Sequence, residues 1–361
     1  MQLYDDLTHI FTDKKIPMAG LFELTYVCNL KCIHCCVEDE GEPVIDDGKS
    51  ELSLEEVKST LDELYRMNTF ALVFSGGEAM MRPDIFDILA YARKLNFRIN
   101  LYTNATLIDE SSAKELKKLR VNNIGISLYG ATPKTHDTIT RVPGSYEATV
   151  RAISLLQREG LYITLKSLIM KPNYHEVRQL REWSKERRIF HEFSYTIHPL
   201  LDGSKKNIDL RLSDEQAEGF MRETLDVEFA RDRFLEANNS EDSIVAIEDR
   251  ENICPAGVTS FNISPYGDVY PCVYLRMFAG NIREISFKEA WNSPVMETLR
   301  RTRFTDLHKC SKCELAEEWC GVCPGHAFLE VGNWLEPSPE ACRRARIRRE
   351  VYGKAREIAK K

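Results

Sequence analysis

Cys28-Asn29-Leu30-Lys31-Cys32-Ile33-His34-Cys35 is a CX3CX2C triplet, and the next apolar run, Phe70–Phe74, ends on Ser75-Gly76-Gly77-Glu78. Three thiolates so close in sequence can hold three corners of a 4Fe–4S cube and leave the fourth iron open to a small molecule. A glycine pair at the end of a strand permits close backbone approach, and the glutamate offers one carboxylate to an amino group. A zinc knuckle is the competing reading of the triplet. Zinc takes four ligands, commonly from paired CX2C motifs, and the nearest further thiol, Cys36, adjoins Cys35, where both seldom reach one metal without strain.

Triplet and glycine turn together point to a cluster that chelates and cleaves S-adenosylmethionine (SAM). The pair resembles the radical SAM superfamily, whose signature is this spacing followed by a GGE motif. Cys36 and His34 stand where that family usually or often has aromatic residues, and Ala79 stands where it commonly has proline.

The rest of the chain is compatible with such an enzyme. With 361 residues it can bury one large core and a smaller module. A formal net charge of −7 argues against a general nucleic-acid binder. Residues 1–18 are polar and lack the apolar core of a signal peptide, and no run approaches the ~18 apolar residues that span a membrane. Eleven cysteines in that setting read as metal ligands in a reducing cytoplasm, not as disulfides.

From Leu21 to about Thr196 short apolar runs alternate with amphipathic stretches. Strands are expected at Leu21–Val27, Phe70–Phe74, Phe97–Tyr102, Asn123–Leu128, Tyr162–Met170 and His191–Ile197. Helices are expected at Ser53–Met67, from Arg82-Pro83-Asp84 to about Leu95, and at Asp109–Leu119, Ser145–Glu159 and Tyr174–Arg187. Ser53 with Glu56 has the form of a capping box, and Pro83 suits a helix start. Six such units predict a parallel sheet with helices outside, too few for a closed eight-stranded barrel. The expected fold is therefore α/β: a partial (β/α)6 TIM-like barrel, as in radical SAM enzymes, with a small C-terminal cysteine-rich domain.

Ligands of parallel α/β folds sit at the C-terminal ends of the strands. Cys28, Gly76-Gly77-Glu78, Thr103-Asn104 and Ser127 all fall there. The resemblance implies that Glu78, with Gly76 and Gly77, holds the methionyl amino group, and that Asn104 and Ser127 lie near the ribose or carboxylate. Lys166 is a further candidate for the carboxylate, and Arg141 is open. For Asn104 and Ser127 the plain alternative is loop chemistry; for Lys166 it is a solvated strand lysine. No acid or base is nominated, because the cofactors carry the hard chemistry.

The organisation expected is an N-terminal segment 1–20, a radical SAM core 21–200, a turn-rich and acidic linker 201–250, a cysteine-rich domain 251–345 and a helix end 346–361. Asp214–Asp249 is acidic and helix-prone, with the polar tract Asn238–Asp242 inside it. Beyond it lie Cys254, Cys272, Cys310, Cys313, Cys320, Cys323 and Cys342, with a β-hairpin expected at Ser264–Cys272 around Gly267 and Cys342 in a helix of roughly Pro339–Ala359. This pattern resembles the SPASM domain, an auxiliary-cluster extension of radical SAM proteins. The CX2CX6CX2C group departs from the family's more usual CX2CX5CX3C. Following the interleaved ligation of that domain, Cys310, Cys313, Cys320 and Cys342 would hold a distal 4Fe–4S cluster, and Cys254, Cys272 and Cys323 a proximal one. Zinc bound by Cys310, Cys313, Cys320 and Cys323 is the alternative, and it would orphan the other three.

The resemblance implies three clusters, SAM, and an electron donor such as flavodoxin or ferredoxin. Ile126–Thr132 and Gly280-Asn281-Ile282 look like the pyrroloquinoline-quinone maturase branch, whose members modify peptides or proteins. About 20 residues before the first strand are too few for a fused peptide-binding domain, so any chaperone is expected as a separate chain. The second substrate reading is a haem-precursor tetrapyrrole side chain. From another class comes a non-enzymatic electron carrier or zinc scaffold, which would have no use for a SAM pocket.

Overall fold

The computed structural model describes residues 10–39, 42–43, 48–224, 253–316 and 318–359. Six strands follow one another in the chain: β1 (Ala19–Glu23), β2 (Ala71–Ser75), β3 (Arg98–Thr103), β4 (Asn123–Ser127), β5 (Ile163–Leu168) and β6 (Phe190–Ser194). Each pairs in parallel with the next. Their inward positions, such as Phe22, Phe74, Leu101, Ile126 and Leu165, are fully buried under the surrounding helices. The opposite face, with Ser75, Tyr102 and Lys166, is only partly buried.

The crossovers carry α1 (Leu54–Arg66), α2 (Ile85–Lys94), α3 (Glu110–Lys118), α4 (Pro133–Thr140), α5 (Ser145–Arg158) and α6 (Val177–Glu186). The capping box at Ser53 and Glu56 forms as read from the sequence. Helix α4 was not anticipated. Its start signal was present, since Thr132 caps Thr135 N–H and Pro133 occupies the first turn, but the helix is too short to show a clear apolar period.

The sheet does not stop at β1. Strand β7 (Ser260–Ile263) pairs in parallel with the other edge of β1, and antiparallel β8 (Asp268–Tyr270) and β9 (Gly280–Asn281) extend it. The order is β9-β8-β7-β1-β2-β3-β4-β5-β6. The expected hairpin is thus real: Gly267 N–H closes its turn on Ser264 O at 3.0 Å with Gly267 at φ +88°. The cysteine-rich half therefore continues the barrel sheet. It adds α7 (Asp214–Glu223), α8 (Phe287–Trp291), α9 (Pro294–Arg301), α10 (Pro324–Val331) and α11 (Pro339–Ala359), the last carrying Cys342 as expected. The rest of the acidic stretch, including Asn238–Asp242, lies outside the described residues. No described helix is long and apolar enough to cross a membrane.

Beyond the β1–β7 pairing, two of the contacts that join the halves set measurable energies. Gly20 leaves room for the Phe261 ring, which lies edge-on to Phe287 at 4.8 Å and to Trp291 at 6.1 Å; a Cβ on Gly20 would fall 2.2 Å from that ring. Arg283 Nε donates to Glu56 Oε1 at 2.6 Å across the same joint. The Arg283 hydrogen bond, with the Ser53 backbone N–H behind it, holds the Glu56 carboxyl down at about 2.

Gly20→Ala should destabilise the protein by about 1–3 kcal/mol, because the Phe261 ring is packed on its far side and cannot retreat; urea unfolding measures this. The Glu56 shift sets a pH signature. The carboxyl is depressed in the folded state, so its contribution is complete above pH 4.5 and is lost as pH falls through about 2. The pair is partly exposed, so the effect is at most about 1 kcal/mol. Arg283→Ala should flatten the stability-against-pH curve within that window.

Candidate functional site

The thiol triplet occupies the loop that follows β1. The loop is held by helix α4, whose last carbonyls, Thr140 O and Ile139 O, accept from Lys31 N and Ile33 N at 3.0 Å each. Cys28, Cys32 and Cys35 are partly exposed and line a cleft of about 620 Å³ at the C-terminal ends of β2 to β6. Gly76, Gly77, Asn104, Ser127 and Lys166 line it too. The convergence expected from the motifs is therefore realised in space.

The glycine turn is stitched to the segment between β1 and the triplet. Gly77 N donates to Thr25 O at 2.7 Å and Glu78 N to Val27 O at 2.9 Å. Gly76 has φ +141°, and a Cβ there would sit 2.1 Å from Thr25 O; at Gly77 it would sit 2.6 Å from Tyr26 O and Val27 O. Both glycines are required by close backbone approach.

Glu78 lies behind the cleft wall. It is 1% exposed and does not line the cleft. Its Oε1 accepts from Thr103 Oγ1 at 2.7 Å and from Met80 N at 2.9 Å, and its Oε2 accepts from Asn104 N at 2.7 Å. Burial raises its pKa, and these three donors pull the other way. This carboxylate braces the β3 loop that presents Asn104. Asn104 Nδ2 in turn donates to Asn29 Oδ1 at 2.9 Å and lies 4.0 Å from Cys28 Sγ.

Lys166 also has its own partner. It is ion-paired to Glu192 on β6 and its ammonium lies 4.6 Å from the Tyr102 ring centroid, over Gly125, which has no side chain to interfere. Arg141 takes a left-handed φ of 57° at the end of α4 and is not part of the cleft wall. Residues missed in the sequence include Tyr129, His198 and Tyr274, all of which line the cleft. Tyr129 is partly buried, and besides that burial the Cys32, Cys35 and Cys28 thiols push its hydroxyl pKa upward. Its ring meets His34 at 4.4 Å. His34 is held neutral, at about 4, by burial and by His136. A tyrosine after a strand gives no sequence signal for this.

The remaining thiols fall into two sets that feel one another. Burial, helped by Cys323 and Cys272, raises Cys254 to about 11. Burial likewise lifts Cys320 to about 11, helped by Cys342, Cys310 and Cys313. Cys323 falls in the first set, with Cys254 and Cys272. Backbone N–H groups of Tyr274, Leu275 and Val273 point at the Cys272 sulfur. Among the described residues no three side chains are spaced to hold a single metal ion. Half-buried thiols that raise one another's pKa suit a polynuclear cationic centre, which reverses that cost and deprotonates its ligands.

Comparison with known proteins agrees. Residues 22–184 match the radical SAM superfamily, and residues 254–314 match SPASM, an iron-sulfur cluster-binding domain. The AdoMet-dependent heme synthase of Methanosarcina barkeri is 28% identical over 341 residues, covering 90% of this chain and 95% of that protein. The PqqA peptide cyclase of Gluconobacter oxydans is 26% identical over 335 residues, covering 90% of each. The solved structure of native anSMEcpe with bound AdoMet superposes with a TM-score of 0.71 at 20% identity, over 95% of this chain and 99% of that one. A partial barrel with a thiol triplet at the mouth defines the class: this chain is a radical SAM enzyme. Its branch is the SPASM subclass, and the two domains imply 4Fe–4S clusters and SAM as its cofactors.

Glu78→Gln should cost about 1–3 kcal/mol of stability, since an amide nitrogen must face a donor in a buried site. SAM affinity should fall only as far as Asn104 is displaced. Thermal unfolding and SAM titration of the same preparation separate the two effects.

Proposed function

We propose that this enzyme is an oxidoreductase-type maturase that modifies a peptide or protein by hydrogen abstraction from an unactivated carbon. In this reading Cys28, Cys32 and Cys35 hold the SAM-binding cluster. Cys254, Cys272 and Cys323 hold a proximal auxiliary cluster, and Cys310, Cys313, Cys320 and Cys342 a distal one. When bound, the reduced first cluster supplies the electron that cleaves SAM to methionine and a 5′-deoxyadenosyl radical. The chain's residues orient and enclose. Gly76 and Gly77 keep the cleft wall flat against the triplet loop, Asn104 and Ser127 present polar groups to the nucleoside side, and Tyr129 seals the floor beneath the thiols.

The observation that carries the peptide reading is the edge of β6, which is unpaired among the described residues. That strand ends the sheet, and a groove of about 1020 Å³ runs along it between α6, α7 and α11. Groove and SAM cleft share Glu192, Phe193, Ser194 and Thr196. An extended peptide can add to such an edge through main-chain hydrogen bonds, which would carry a side chain from the outside to the thiol-lined cleft. A relative is named for cyclising a peptide. A separate peptide-binding chaperone and a flavodoxin- or ferredoxin-like donor fit the same reading.

One observation favours the tetrapyrrole reading. Arg178, Arg181, Lys185, Arg344 and Arg348 line the same groove beside Glu182, Glu192 and Glu223, Glu223 pairing with Arg178 and Arg181, and the excess of cations suits the carboxylates of a porphyrin; another relative is named a heme synthase. The discriminating measurement is 5′-deoxyadenosine formation by reconstituted enzyme, SAM and reductant. A short precursor peptide encoded beside the gene should raise it and emerge with a changed mass. Stimulation by an iron porphyrin carrying propionates instead would overturn the peptide reading.

Anaerobic protein should carry about twelve iron as three clusters. Joint replacement of Cys28, Cys32 and Cys35 by alanine should remove about four iron and all SAM cleavage. Cys310→Ala with Cys313→Ala should keep SAM cleavage and lose substrate turnover, with circular dichroism confirming the fold. Stoichiometric zinc with one cluster would remove the auxiliary assignment.

A further inference from the structure

Thr196 is the last of the residues that the groove beside β6 shares with the SAM cleft. Arg344 of α11 reaches it across the groove. Its Nη1 donates to Thr196 Oγ1, and its guanidinium lies 4.8 Å from the Tyr195 ring centroid. Two buried polar atoms at this point have no hydrogen-bond partner among the described residues: Arg344 Nε and the Tyr195 hydroxyl. Tyr195 is only 8% exposed, and it lines the groove too. Arg348, one helical turn further along α11, is also in the groove wall and gives one Nη to Trp319 O at 2.8 Å. Among the described residues neither arginine is ion-paired.

The other charges of the groove are accounted for. Arg178 and Arg181 pair with Glu223, and Glu192 pairs with Lys166. Glu182 and Lys185 are exposed on α6. Elsewhere on α11, Arg343 pairs with Asp214 and Glu340, and Arg349 with Glu314. Arg344 and Arg348 are left as like charges one turn apart, an arrangement that disfavours a helix unless something compensates it. A buried donor without an acceptor carries the full cost of its lost water, and native proteins keep few of them. The Thr196 hydroxyl is a neutral acceptor and takes only one of the five donors of Arg344. Stacking on Tyr195 uses the face of the guanidinium and leaves the donors at its edge. A carboxylate supplies what is missing, since it accepts from a guanidinium fork and from a phenol hydroxyl and brings the opposite charge.

We propose that Arg344, Arg348 and the Tyr195 hydroxyl form a carboxylate-binding site whose ligand is an aspartate or glutamate side chain of the peptide substrate. The proposal rests on the peptide reading above and adds the side chain that the enzyme recognises. Position favours a peptide over a ring bearing propionates. Ser194 O accepts from Ile169 N at 2.6 Å, so Ser194 turns its backbone groups to β5, and by alternation Phe193 and Tyr195 turn theirs to the open edge. A strand laid on that edge comes abreast of Tyr195, where Arg344 waits. An acidic side chain held there sets the register of the peptide, and its neighbours in the chain enter the cleft at Thr196. Fixing one side chain beside the cleft thus decides which carbon is presented for hydrogen abstraction.

The test uses the reconstituted full chain, kept anaerobic, and as probe the short peptide encoded beside the gene, labelled with fluorescein and read by fluorescence anisotropy. Arg344→Met should weaken binding about 10- to 100-fold, and Arg344→Lys should recover part of the loss. Exchanging each acid of the peptide in turn for its amide should single out one position. Its loss should match that of Arg344→Met and should not add to it when both changes are made. Arg344→Glu should prefer the peptide that carries lysine at that position over the native one. Circular dichroism and iron content establish that each variant is folded and loaded. If Arg344→Met fails to load, Tyr195→Phe, which removes a single hydroxyl, should still weaken binding about 2- to 10-fold, and the amide scan on the native enzyme should still single out one acid. Native affinity in a loaded Arg344→Met or Tyr195→Phe variant overturns the proposal alone, as do additive losses or a scan that singles out no acid. A native enzyme that does not bind the peptide, and instead binds an iron porphyrin carrying propionates, overturns the peptide reading and the proposal together.

Discussion

The site depends on β1 being hydrogen-bonded along both edges. Ala19–Glu23 pair with Ala71–Ser75 on one side, and Ala19–Phe22 with Ser260–Ile263 on the other. A strand fixed on both sides cannot slip by a residue without turning its buried side chains outward. Its register therefore fixes three polar ends at once: the triplet loop after β1, the glycine turn after β2 and the turn after β7. The auxiliary half thereby continues the barrel's own sheet. Its first strand shares the barrel's sheet, and Tyr274 of its Cys272 loop comes up beside Cys36 for that reason.

Above the strand ends the chain is irregular, and irregular backbone must find partners for its N–H groups. Two buried carboxylates supply them. Glu78 collects Met80 N, Thr103 Oγ1 and Asn104 N. Glu176, 4% exposed, collects Ala131 N, Thr132 Oγ1 and Thr135 Oγ1. The second brace fixes α4, and α4 holds the triplet loop through its terminal carbonyls. Charge-assisted hydrogen bonds of this kind are stronger than neutral ones, so each carboxylate orders a loop that has little apolar surface of its own.

The same burial that orders the loops makes the thiols expensive to ionise. Cys254 and Cys320 are each pushed up to about 11, first by burial and then by their neighbours. Such sets gain by binding a cationic centre, which links metal loading to folding of the small module. Hydrogen bonds from the turn after Cys272 lower that cost locally.

Much of this was legible in the sequence. The triplet spacing, the capping box at Ser53 and Glu56, and the six alternating units gave the partial barrel and its thiol mouth. Local periodicity and short motifs are carried by neighbours in the chain, and they survive into the structure unchanged. The division of the distant cysteines was legible only through a family resemblance, and the structure groups their fields in the same way. What tertiary structure alone decided were contacts between residues far apart in sequence. Glu78 reads as a free carboxylate until the β3 loop closes over it. Lys166 reads as a solvated lysine until parallel pairing sets Glu192 beside it. Thr196 and Arg344 carry no motif at all. They meet because α11 returns to the end of β6, 148 residues away in the chain, which no local pattern specifies. Partner and burial, which decide what a charged side chain does, are properties of the assembled sheet.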